Sequence, residues 1–150
     1  MTTFFKDTSG HEFCCSVTAG TVIEYRKRLD VNLNSLIDGN LLDRMATDIE
    51  LFVNMLWLSV KASAPAGMDD AAFAEVLGGD VLESARDALL EAIISFFPAL
   101  ARGPLQKMRD KGKAVQVLAL NQVNQAIDNL TPEMMIGLKN PVGNSQASSV

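Results

Sequence analysis

The chain is poor in the residues that carry chemistry. Its 150 residues include one histidine, His11, one tryptophan, one tyrosine and two cysteines, Cys14 and Cys15, which are neighbours. A transition-metal site needs several such ligands at set spacings. His11 has no Cys-x-x-Cys, second histidine or spaced carboxylate beside it, so no metal is expected and His11 reads as a surface turn residue. Adjacent cysteines close only a strained vicinal bridge, so two reduced thiols in a cytoplasm are expected, acting as small strand residues. Gly78-Gly79 precedes a helical pattern, but Asp80 and Glu83 follow it and no lysine does, so the pair marks a helix boundary rather than a phosphate cradle. Asp87 and Glu91 share a helix face without a partner base and read as a solvated acidic face. Neither a cofactor nor a catalytic residue is expected.

Long apolar runs are also missing. The chain is 48% hydrophobic, yet no run reaches the roughly 20 residues of a membrane span, and MTTFFKDTSG has no basic segment leading into an apolar one. A soluble, unexported protein is expected, with one domain over residues 1–131. Positive charge is scarce as well. A net charge of −5 argues against nucleic acid as a partner, because a phosphate-binding surface must displace counterions. The charge is uneven: Asp69 to Glu91 holds seven acids and one base, Arg86, whereas Arg102 to Lys113 holds five bases and one acid, Asp110. Such blocks are either two solvated faces or surfaces that complement each other between copies.

What is present is helical periodicity behind a short extended start. Thr3-Phe4-Phe5 and Glu12 to Thr18 flank the turn residues Lys6 to Gly10, which predicts a β-hairpin over about residues 3–18. Thr18 is placed to cap a helix through Val22, Ile23, Arg26 and Leu29. Leu42, Met45, Ile49, Phe52, Val53, Leu56, Trp57 and Val60 recur at three- and four-residue steps and predict one helix, ended by Pro65 and Gly67. A short helix from Asp70 to Leu77 stops at Gly78-Gly79. Asp80 then caps a helix with Glu83 as in a capping box, and Leu82, Ala85, Leu89, Ile93 and Phe96 carry it to Pro98. Gly103-Pro104 restarts the chain into a last helix ending near Thr131-Pro132. The fold class is therefore mainly α, an N-terminal β-hairpin followed by a compact bundle of four to five helices, with residues 132–150 as a mobile tail.

Two helices carry more apolar surface than one face needs. Leu51, Met55 and Leu58 lie off the main stripe of one, and Leu90, Ile94 and Phe97 off that of the other. Such helices are either central or shared with a partner, and on the second reading these six residues line a groove for apolar helical segments. A further stretch, Ala114 to Ile127, has no charge and interleaves amides with valine, leucine and isoleucine. It reads either as a contact between chains, making the protein a homo-oligomer, or as a partly buried helix of the same chain.

The hairpin "TFFKDTSGHEFCCSVT", the segment "LLDRMATDIELFVNMLWLSVKASA" and the stretch "MDDAAFAEVLGGDVLESARDALLEAIISFFP" together resemble the tail assembly chaperones of long-tailed bacteriophages. The likeness covers roughly residues 3 to 110 and rests on packing and capping residues. It implies a non-enzymatic, mostly helical protein of the bacterial host's cytoplasm that binds the tape-measure protein, with tail-tube protein as a second partner, and that is absent from the finished virion. It carries no catalytic residues. A structural tail or head-completion subunit retained in the particle would have the same composition.

Overall fold

A computed structural model describes residues 2–38 and 40–130. Strands β1 (Thr3–Lys6) and β2 (Glu12–Cys15) pair antiparallel, with Phe5 opposite Phe13 and Thr3 opposite Cys15. Alternation puts Phe5, Phe13 and Cys15 on one buried face and leaves Phe4, Lys6 and Glu12 on the other. Asp7 fixes the turn: one carboxylate oxygen accepts from the Ser9 amide at 2.9 Å, the Ser9 hydroxyl at 2.6 Å and the His11 amide at 2.9 Å. These donors, the Ser9 hydroxyl foremost, hold the Asp7 carboxyl below its usual range.

Helix α1 (Ala19–Leu29) starts where the sequence indicated. Thr18 and Thr21 cap each other reciprocally, the Thr18 hydroxyl accepting from the Thr21 amide. A 3-10 turn, Leu33–Leu36, leads to α2 (Asn40–Thr47) and α3 (Ile49–Val60). The single helix expected from Leu42 to Val60 is thus two. Asp48 leaves helical geometry, and its carboxylate accepts from the Leu51 amide at 3.1 Å, so a new helix is capped inside an unbroken apolar period.

Helix α4 (Asp70–Glu75) is capped by Asp69, whose carboxylate accepts from the Ala72 amide at 2.8 Å. Helix α5 (Asp80–Phe96) begins differently from expectation. Its cap residue is Gly79, at φ 52° and ψ −127°, while Asp80 is already the first helical residue and no side-chain cap forms. Asp80 and Glu83 instead place negative charge in the first turn, at the positive end of the helix dipole. Helix α6 (Ala99–Asp128) starts directly behind Pro98, whose carbonyl accepts from the Ala101 amide at 2.9 Å. Gly103-Pro104 therefore lies inside α6 rather than restarting the chain. The bond lost at Pro104 would have gone to the carbonyl of Leu100, a residue 95% exposed, so water can serve that acceptor.

The chain is mainly α, with one two-stranded hairpin and six helices among the described residues. It forms two compact units, divided after Arg109. In the first, α3 is central, packing against β2, α1, α2, α4 and α5, while α5 packs against both strands and α3. Phe13 joins the layers, its ring 5.3 Å from Phe5 and 5.3 Å from Phe73, which in turn meets Trp57 at 5.3 Å. Glu91 on α5 pairs with Arg109 in the first half of α6, so the acidic and basic blocks meet within one chain at that point. In the second unit, every residue of α6 from Asp110 onward is exposed. The tail expected over residues 132–150 lies outside the described residues.

Candidate partner-binding surface

The six residues expected to line a groove are buried. Met55 and Ile94 are at most 2% exposed, and Leu51, Leu58, Leu90 and Phe97 no more than 8%. They belong to one hydrophobic core together with Phe52, Leu56, Leu89 and Ile93 from the main stripes of the same two helices. The groove reading is corrected on this point. The second faces of α3 and α5 are apolar because both helices are central and meet neighbours on two sides. Phe96 and Phe97 exchange the places their spacing suggested: Phe97, at the end of α5, turns inward, while Phe96 is 39% exposed and meets Phe97 edge-on.

The remaining groups of chemical interest are engaged or scattered. The His11 ring is half-buried edge-on against Phe13 at 4.6 Å, not a free surface group of the turn. Both cysteines are free thiols. Cys15 is fully buried, and burial pushes its thiol up to about 12. Among the described residues no three histidine, cysteine or carboxylate side chains are grouped to hold a metal, and no described helix is long and apolar enough to cross a membrane.

Among the described residues of the first unit, two clefts stand out. One, of about 310 Å³, lies where Ser16, Thr18 and Thr21 face Ser59 and Lys61. Lys61 there donates to Glu24 at 2.7 Å, which with its charge lowers the Glu24 carboxyl, so the cation is already paired within the chain. The other, of about 300 Å³, lies between α3 and α4, floored by Ile49, Val53, Ala71 and Ala74 and rimmed by Glu50 and Asp70. It suits an apolar side chain better than a polar substrate.

The large apolar surface is on α6. Val115, Val117, Leu118, Leu120, Val123 and Ile127 are each 54–67% exposed. At about 100° per residue, Val115, Ala119, Leu120, Val123, Ala126 and Ile127 fall within an arc of about 140°, and Gln116 is the one polar residue inside it. Val117 and Leu118 lie outside that arc. No charge occurs from Ala114 to Ile127, so nothing on the helix repels an apolar partner. The sequence marked this stretch as uncharged but left open whether it was buried; the structure exposes it.

No family model matches the chain, and no curated protein or solved structure matches it either. Its function is read from the surface.

Proposed function

We propose that this protein is a non-catalytic tail assembly chaperone of a long-tailed bacteriophage, which binds the tape-measure protein and keeps it soluble until tail-tube protein assembles around it. The observation that carries the reading is the exposed, uncharged apolar stripe of α6. Monomeric soluble proteins rarely leave a contiguous apolar patch of this kind bare, and a helix presenting it is suited to lie along another helix with a stripe of its own. Burying one such side chain contributes roughly 1.5–3 kcal/mol, so a few contacts repeated along a long helical ligand hold it while each stays weak enough to be displaced. The segments that resemble the chaperone family form the hairpin and the central helices α3 and α5, which build the supporting core. The cytoplasm of the infected bacterium is the place of action on this reading.

The test is made in infected cells. Affinity capture of the tagged chain before lysis should bring down the tape-measure protein, and mass spectrometry of purified particles should find the chain absent. Presence in the particle at fixed copy number would indicate a structural subunit instead.

A further inference from the structure

The cleft between α3 and α4 joins an apolar floor to a rim of one sign of charge. Ile49, Val53, Ala71 and Ala74 form the floor, Glu50 and Asp70 the rim, and no lysine or arginine lines it. Neither carboxylate is in an ion pair among the described residues, and Asp70 accepts from the amide of Ala71 beside it at 2.9 Å. The occupant that complements such a cleft is an apolar side chain with a positive charge a turn or two away.

The start of α6 presents that combination. Leu100 is 95% exposed, more than any other large apolar residue described. At 100° per residue, Leu100, Gly103, Pro104 and Lys107 share an arc of about 100°, and all four are exposed. Gly103 has no side chain and Pro104 a short one, so Leu100 stands clear of them. Lys107 lies about 10 Å along the axis from Leu100 and is in no ion pair among the described residues. Acids are off this face: Glu91 pairs with Arg109 on the opposite side of the helix, and Asp110 lies at the flank, about 80° from Leu100. The other exposed apolar residues match less well. Phe4 shares its face with Lys6, but Glu12 stands opposite Lys6; Ile23, one turn from Lys27, is 53% exposed and so already partly packed. The stripe from Ala114 to Ile127 has no charge to offer Glu50 and Asp70.

We infer that Leu100 of one copy of this chain seats in the α3–α4 cleft of the next, with Lys107 beside Glu50 and Asp70. The contact joins the acidic block of one copy to the basic block of another. It uses surfaces of the first unit only and does not depend on the tape-measure reading. Because the two surfaces differ, each added copy leaves one of each free, and the assembly grows head to tail into a ring or an open chain.

Light scattering coupled to gel filtration tests it on the full chain, from low to high micromolar concentration. The wild-type mass should rise with concentration above the 16.2 kDa of one chain, and less so at high salt. Leu100→Glu removes the apolar group and Ala71→Arg fills the cleft. Both positions are exposed, so each variant alone should keep its melting temperature and the mass of one chain. Mixed, they retain one working cleft and one working leucine between them, and the mass should rise toward that of two chains and stop there. Lys107→Glu should weaken association several-fold, and adding Glu50→Lys to it should restore part of the loss. A wild-type chain of single mass at every concentration would overturn the inference. So would association that survives Leu100→Glu or Ala71→Arg alone, which would place the contact elsewhere, or a mixture no heavier than its components.

Discussion

The hydroxyl of Tyr25 on α1 hydrogen-bonds that of Ser59 on α3, and both residues are buried. Ser59 in turn donates to the Met55 carbonyl at 2.9 Å, so Tyr25 is the donor to Ser59. Ser59→Ala should therefore leave a buried donor unpaired and cost about 1–3 kcal/mol in denaturant unfolding, whereas Tyr25→Phe should cost less. Adding Tyr25→Phe to Ser59→Ala should recover part of the loss, because the orphaned donor goes with it. Additive losses would show that the pair does not act as a unit.

Alkaline pH should weaken the same region. Burial raises the Cys15 thiol from its ordinary value near 9 to about 12, and burial also raises the Tyr25 hydroxyl. Between pH 9 and 12 the unfolded chain has released the thiol proton that the folded chain retains. Stability is then complete below pH 9 and declines above it by about 1.4 kcal/mol per pH unit from the thiol, with the Tyr25 hydroxyl, whose ordinary value is 10, adding to the decline only above pH 10. Melting temperatures from pH 8 to 11 should fall progressively, and Cys15→Ala should make the fall shallower. A flat profile would contradict the assignment.

Gly79 caps α5 at φ 52° and ψ −127°, while a Cβ added at Gly78 or Gly79 would meet nothing within 4 Å. The difference between the two glycines is one of backbone conformation alone. Gly79→Ala should destabilise by about 1–3 kcal/mol and Gly78→Ala by much less, measured by thermal unfolding. Equal effects would remove the conformational explanation.

Met55 and Ile94 lie in the core, so Met55→Ser and Ile94→Ser should each lower stability by about 2–5 kcal/mol, the range for truncating a buried aliphatic side chain. Unchanged melting would return these residues to a partner-facing surface.

The hairpin and the Thr18 cap were legible because they depend on neighbours in sequence: alternation, turn residues and a hydroxyl just ahead of a helical period. The break at Asp48 was not, because the apolar period runs through it and only the aspartate marks the new helix. Pro104 misled for a related reason. A proline's cost depends on whether its lost acceptor is wet, and sequence does not show that. The candidate site turned on the same difficulty at larger scale. Two apolar faces on one helix are what a central helix and a shared helix both need, and only the packing of α3 and α5 against their neighbours separates them. The exposed stripe of α6 was visible as a lack of charge from Ala114 to Ile127, but its exposure required the fold.

The central claim is that the uncharged α6 stripe holds the tape-measure protein in solution. It is tested most directly by co-expressing the two proteins and measuring the fraction of tape-measure protein left in the supernatant after centrifugation. With the wild-type chain most of it should remain soluble. With Ile127→Glu, which charges the exposed stripe without touching the core, most should sediment although the variant itself stays folded and soluble. Tape-measure protein that sediments equally with and without the wild-type chain, or that is held as well by the Ile127→Glu chain, would contradict the claim.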